Sequence, residues 1–301
     1  MASDSLTVYG GVKEIGGNKI LVSSRDTRVF FDFGQSFSHL DQYFVPEAYL
    51  SPRERFGLKD YFGLDLMPRL EGVYSQEALQ YTDMQYKDPE YDAVFLSHPH
   101  MDHFSHMRYL DPKIPIHMGE TTERILRSTE ATTAVCIPEG AQVFPYQSGK
   151  KIRVGSIEVT PINVDHSVPG AFGFLIDTGE KRFAYTGDLR QHGKRPEATE
   201  QFLKGAEGLE ADALVIEGTR VASKESRKNH TEPFVEEESR KVVRNTEGMV
   251  LCMRYPKDLD RFRTFYSISK ETGKEIIISP KTAHLLLSLS GDPAGMPNPL
   301  K

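Results

Sequence analysis

The sequence predicts an α/β protein, on three observations. The first third alternates short apolar runs with glycine turns, the pattern of antiparallel hairpins. Apolar runs at residues 93–96, 159–164 and 182–185 each stop at a histidine or an aspartate, as strands do where a sheet carries a site on its edge loops. Beyond about residue 220, strand-like and helix-like segments alternate in the order of a βαβ unit.

Length and composition bound the rest. The 301 residues can bury a large core and fit one big domain, or one domain with part of another. Hydrophobic residues at 38% and charged residues at 27% describe a soluble globular chain. No run approaches the ~18 apolar residues of a membrane span. The start, Met-Ala-Ser-Asp-Ser-Leu-Thr, lacks the basic and apolar regions of a signal peptide, so a cytoplasmic address is expected. Cys136 and Cys252 are too few for a disulfide framework or a cysteine metal site, so any metal must rest on His and Asp. A net charge of −6 argues against general affinity for nucleic acid. Between Arg220 and Arg263, however, eleven Lys and Arg face eight Asp and Glu, which reads first as a solvated helix face.

In chain order, Leu6–Tyr9, Lys19–Val22 and Arg28–Phe33 read as strands separated by Gly10-Gly11 and Gly16-Gly17-Asn18, turn residues suited to positive φ. The glycines do not follow the dinucleotide-binding spacing. Asp32, at the edge of Phe-Asp-Phe-Gly, serves two readings equally, as a turn cap or as a carboxylate that orients a metal ligand. Residues 35–89, with Pro46, Pro52 and Pro68, form a long excursion of short helices expected to line or cover a site. Ala93–Leu96 is a strand, Glu120–Thr133 a helix, and Gln142–Val159 a set of short β runs. Leu214–Ile216 reads as a buried strand ending in Glu217. Thr231 is an N-cap with Pro233 in the first turn, and Phe234, Val235, Val242 and Val243 are spaced to bury one stripe. Met249–Met253 and Glu275–Ile278 then read as strands flanking an amphipathic helix, Asp258–Thr272, which stops at Gly273. This arithmetic places a second, parallel-sheet unit after about residue 220.

The chemistry concentrates in Phe95–His106, where His98, His100, Asp102 and His103 follow a strand within a few residues. Imidazole and carboxylate are the ligands of a divalent ion such as zinc, and several must converge on one small volume. His98 and His100 are two apart, which in extended chain points both to one face, while Asp102 and His103 follow where the chain turns away. One pair then serves one ion and the next pair a second. His166 and Asp188, at later strand ends, complete a two-ion set.

These residues resemble the metallo-β-lactamase fold superfamily, whose signature is His-x-His-x-Asp-His followed by a later His and a later Asp. Within it the chain is similar to the β-CASP ribonucleases, and most to the RNase J type. That likeness is carried by Gly10–Asn18, by Asp32 in Phe-Asp-Phe-Gly, by His166-Ser167-Val168-Pro169, by Tyr185-Thr186-Gly187-Asp188 and by Glu217-Gly218-Thr219-Arg220. The resemblance implies an αββα sandwich with its site at the sheet edges, in a metallo-β-lactamase domain over 1–219 and the first part of a β-CASP unit over 220–301. By the same analogy His98, His100 and His166 hold one zinc, Asp102 and His103 the other, and Asp188 bridges them. Manganese is the alternative ion. A metal-bound hydroxide would attack RNA phosphodiesters, with Asp102, Asp32 and Glu217 as catalytic residues and Asp102 steering the hydroxide or shuttling its proton.

In the family the chain returns after the β-CASP unit to finish the sandwich and supply a last histidine. Neither the later histidine motifs nor the returning strands are visible here, and His284, in Lys-Thr-Ala-His-Leu-Leu-Leu, does not match. The expectation is a truncated chain, a fragment or half of a split protein, with a homo-oligomer or a partner chain completing the fold. Two other functions fit the same residues: hydrolysis of a small ester, thioester or lactam, and a catalytically poor subunit that binds RNA or a partner. Neither a membrane nor any cofactor besides the metal is expected.

Overall fold

The computed structural model describes residues 4–44, 51–221 and 228–300; Pro46 and part of the basic segment after Glu217 lie outside them. Ser5–Gly10 (β1), Lys19–Ser24 (β2) and Thr27–Phe31 (β3) form the antiparallel meander that the glycine turns predict. Short helices follow at Phe37–Tyr43 (α1), Lys59–Gly63 (α2) and Gln76–Leu79 (α3). Ala93–Leu96 (β4) then adds parallel to β3. Met101–Phe104 (α4) leads to Ile116–Gly119 (β5), and Glu120–Thr132 (α5) to Val143–Tyr146 (β6), both in parallel register. Parallel neighbours require such crossovers. The first sheet has the order β1-β2-β3-β4-β5-β6.

The second sheet comprises Ile152–Val154 (β7), Ile157–Asn163 (β8), Phe172–Asp177 (β9), Arg182–Tyr185 (β10) and Ala213–Val215 (β11), with Pro196–Leu209 (α6) crossing between the last two. Its order is β11-β10-β9-β8-β7.

Strand alternation sorts the apolar side chains into layers. Ile20, Val22, Val29, Phe31 and Phe95 meet Ile157, Val159, Phe174 and Ile176 in the core between the sheets. Their neighbours Leu21, Phe30, Val94 and Leu96 face outward onto Leu58, Phe62, Val73, Tyr74 and Leu126. On the far side, Phe202 of α6 packs with Val164, Ala171 and Ala184. The result is a four-layer αββα sandwich. The aromatic excursion covers the outer face of the first sheet; of its described residues only Ser38 reaches the groove described below.

Three further helices, Glu232–Arg244 (α7), Leu259–Thr272 (α8) and Pro280–Ser288 (α9), form the C-terminal unit. Thr231 caps α7 by accepting from Phe234 N, and Gly273 ends α8 at φ 68°. Leu259, Phe262, Leu285, Leu286 and Leu289 bury against Ile125 and Val168 and dock the unit on the sandwich. His284 contacts Ser128 of α5 at 2.8 Å. Much of the local positive charge is paired, Arg240 with Glu236, Glu237 and Glu271, and Arg261 with Glu232. That suits the solvated-face reading. No helix among the described residues is long and apolar enough to cross a membrane.

Three expectations are corrected. Met249–Met253 and Glu275–Ile278 form no strands, and Met253 and Ile277 are 96% and 91% exposed. A strand persists only where another satisfies its backbone groups, and the described residues offer neither run a ladder. The α7 stripe buries Val243 but leaves Phe234 and Val242 exposed, because α8 is the helix packed against α7 and covers one side. Leu214 and Ile216, read as buried, are 55% and 58% exposed, since among the described residues β11 pairs only with β10 and ends the sheet.

Candidate metal centre

The first site loop is locked to the sheet by backbone hydrogen bonds. Phe33 N donates to His103 O, Gln35 N to Met101 O, Asn18 N to Asp102 O and His106 N to Phe33 O, at 2.7 to 3.2 Å. This latch needs glycine at 34, where a Cβ would sit 1.7 Å from Asp102 O and 2.4 Å from His103 N. His98 follows β4 after Ser97, His100 is the extended N-cap of α4, and Asp102 and His103 lie in that helix's single turn. The extended-then-turning geometry expected from the spacing is present. His166 follows β8, and Asp188 follows β10 after Gly187 at φ 53°. A Cβ on Gly187 would lie 2.7 Å from Phe172 O, so this turn also requires glycine.

All six residues proposed as ligands converge. His98, His100, His166 and Asp188 form one group and Asp102, His103 and Asp188 another, the donor atoms of each lying within 4.8 Å of one another. His100 Nδ1 is 3.0 Å from both His98 Nε2 and His166 Nε2. Asp188 spans the groups, with Oδ2 3.8 Å from His98 Nε2 and Oδ1 3.3 Å from His103 Nε2.

The hydrogen bonds behind the rings decide which nitrogens face inward. Asp32 is fully buried at φ 59° and accepts from Ser97 N at 2.7 Å, Ser97 Oγ at 2.8 Å and Tyr185 OH at 2.5 Å. It also lies 2.7 Å from His103 Nδ1, which therefore carries the proton and leaves the Nε2 lone pair for a metal. The Ser97 hydroxyl, committed as donor to Asp32, accepts from His98 Nδ1 at 3.0 Å, which turns the His98 Nε2 lone pair inward too. Three imidazoles with inward nitrogens beside a carboxylate are mutually satisfied by a shared cation. The N₃O and NO₂ donor sets suit divalent ions such as zinc.

The rings differ in protonation. Burial, then the neighbouring imidazoles, pushes His98 and His100 well below the usual imidazole value, and burial takes His166 to about 4, which favours the neutral, ligating form of all three. For His103 burial acts the same way, but the Asp188 and Asp32 charges overcome it and hold the ring well above the usual value, so in the metal-free chain Nε2 keeps a proton towards Asp188 that a metal must displace. Burial would raise Asp188, yet His103, His166 and His100 keep it below the carboxylate range. Burial is the main cause that raises Asp102.

Of the residues expected to be catalytic, Asp102 belongs to a donor group and lines a groove of about 670 Å³ with Asp188 and Glu217. Asp32 stands behind His103 with no exposure, 2.7 Å from its Nδ1 and apart from the groove. Glu217 sits in the groove wall outside both donor groups, its carboxylate accepting from Thr219 N at 2.9 Å. Sequence reasoning missed Ser97, whose one signal was its place between β4 and His98. It also missed Arg195, which donates to His166 O at 3.4 Å and is held by Asp260, a contact between distant segments that no local pattern announces.

An αββα sandwich with His-x-His-x-Asp-His after a central strand, joined by a later His and Asp, defines the metallo-β-lactamase class of metal-binding folds. The profile of the Beta-lactamase superfamily domain matches residues 68–252, more than half of the chain, and the chain belongs to that family. Among curated proteins it is 24% identical to Ribonuclease J of Sinorhizobium meliloti over 207 residues, 66% of this chain and 36% of the relative. It is 21% identical to Ribonuclease J 2 of Streptococcus pyogenes serotype M3 over 290 residues, 93% of this chain and 46% of the relative. The chain thus spans less than half the length of these relatives. A solved structure of a protein of unknown function from Enterococcus faecalis V583 is similar over 96% of this chain and 68% of its own, with 28% identity and a TM-score of 0.77.

Proposed function

We propose that this chain is a metal-dependent hydrolase of the β-CASP type that cleaves RNA phosphodiesters, with 1–219 as its metallo-β-lactamase domain and 220–301 as part of a β-CASP unit. The observation that carries the metal chemistry is the pair of donor groups sharing Asp188 beside one open groove. RNA as substrate is supported by the relatives named Ribonuclease J, the second of which aligns over 93% of the chain, through both units.

His98, His100, His166 and Asp188 would hold one divalent ion and Asp102, His103 and Asp188 a second, zinc or manganese, which would lower the pKa of a bound water and offset charge on the substrate phosphate. The protein's share is placement. Burial favours the neutral form of His98, His100 and His166, and Ser97 fixes the His98 ring, so little proton loss has to accompany binding there. Asp102, its carboxyl raised by burial and set in the groove, is placed to take and pass on the proton of the attacking water. Glu217 lies along the same groove and bounds the path of the strand.

The test is hydrolysis of labelled single-stranded RNA by the metal-loaded chain, with His98→Ala as control. Cleavage that disappears in the variant is the expected result. A chain that binds two metal equivalents and cleaves a thioester or lactam but no RNA replaces this reading with a small-molecule hydrolase.

A second reading, a subunit whose activity needs a partner chain or a second copy, is favoured by Leu214 and Ile216 on the open β11 edge and by the uncovered 249–253 and 275–278 runs. Sedimentation of the purified chain tests it: a monomer active on its own removes the need for a partner.

A further inference from the structure

His100 has the least local support of the four histidines. Its Nδ1 faces the donor group, so Nε2 points away, and that atom is buried without a hydrogen-bond partner. A ligating histidine normally has its second nitrogen fixed by a hydrogen bond, as His103 has from Asp32 and His98 from Ser97. What stands beside His100 is Tyr255, its ring perpendicular at 85° with centroids 5.3 Å apart. Two residues on, Lys257 Nζ donates to the Pro99 carbonyl at 2.9 Å, in the segment that joins His98 to His100. The ammonium also lies 4.6 Å over the Phe104 ring of α4. Both residues come from the loop that enters α8, where the Asp258 cap and buried Leu259 fix it.

We propose that Tyr255 and Lys257 are positioning residues for His100. The phenol ring sets the tilt of the imidazole by edge-to-face contact, and the ammonium holds the backbone that carries it. The C-terminal unit thereby sets the metal affinity of a site whose ligands all lie in the sandwich. The inference rests on the metal reading of those ligands.

The test is zinc affinity of the full chain by competition with a chromophoric chelator, together with the visible spectrum of the cobalt(II) form. Tyr255→Leu removes the ring and keeps bulk, and Lys257→Met removes the donor and keeps the stem. Each is expected to weaken zinc binding at the His98–His100–His166–Asp188 group about tenfold or more, the usual effect of losing a partner behind a ligand. Each should also shift the cobalt bands, while Tyr255→Phe stays close to wild type. A loss of packing alone would lower the metal-free melting temperature and leave the cobalt spectrum unmoved. Wild-type affinity and spectrum in both Tyr255→Leu and Lys257→Met overturn the proposal. A wild-type chain that binds neither zinc nor cobalt overturns the metal reading and this inference with it, a result seen before any variant is compared.

Discussion

Replacing Asp32 by asparagine tests the logic behind the metal centre most directly. The carboxylate has contacts with Ser97 N, Ser97 Oγ, His103 Nδ1 and Tyr185 OH, all between 2.5 and 2.8 Å and all in the fully buried interior. Oδ1 takes only Ser97 N, and Oδ2 takes the other three, so an amide that keeps its oxygen at the Oδ2 position turns its NH₂ group onto Ser97 N. One buried donor left without a partner amounts to about 1–3 kcal/mol. That is a sizeable share of a domain's usual stability of about 5–15 kcal/mol. The neutral amide also holds His103 more weakly than the carboxylate does, and zinc affinity should drop about 10- to 100-fold at the Asp102–His103–Asp188 group. Urea unfolding in chelator measures the first effect and zinc competition the second. A change below about 1 kcal/mol with both zinc equivalents unaltered would refute the assignment of Asp32, since a turn cap at the surface is worth about that much.

Gly34→Ala should cost about 3 kcal/mol or more and abolish metal loading, because the clash is with the Asp102 and His103 backbone and not with a movable side chain; a melting temperature equal to wild type would contradict it. On acidification the metal bound through His103 should leave before the metal bound through His98, His100 and His166. His103 keeps its proton to higher pH than the other three, and below its raised pKa each pH unit weakens binding about tenfold; metal analysis after dialysis across pH 8 to 6 reads the order. In the metal-free chain the same proton stabilises the fold fully below the ordinary imidazole value of 6.5, and this contribution is lost as pH rises through the raised value. The signature is a steeper fall of melting temperature with pH in chelator than in zinc. Chelation at fixed pH should end RNA cleavage and lower stability by about 2.7 kcal/mol if zinc was present at a hundred times its Kd; equal stability with and without chelator would count against a folded-state metal site.

Much of the site was legible because its ligands are sequence-local. His98, His100, Asp102 and His103 sit within one strand end and one helical turn, so backbone geometry alone aims them. His166 and Asp188 were found because strands β8 and β10 carry them to the same edge. The surroundings of Asp32 were half legible: its position marked a strand end, but only the fold brings Ser97, His103 and Tyr185 onto its carboxylate. Tyr255 and Lys257 gave no sign, since nothing near them in the chain predicts contact with residues about 150 positions earlier. The strands at 249–253 and 275–278 were misread for a related reason, because apolar β-branched composition states a preference and a ladder partner decides whether it is met.

By itself the sequence determined the α/β class, the meander, the helix starts at Thr231 and Asp258, and the His and Asp residues that gather into two possible metal-donor groups, all set by side-chain chemistry and short-range periodicity. Tertiary structure alone decided which imidazole nitrogens face inward, which histidine keeps a proton, and how the C-terminal unit touches the metal loop. Those depend on burial and on distances between groups far apart in the chain, and a linear pattern carries neither quantity.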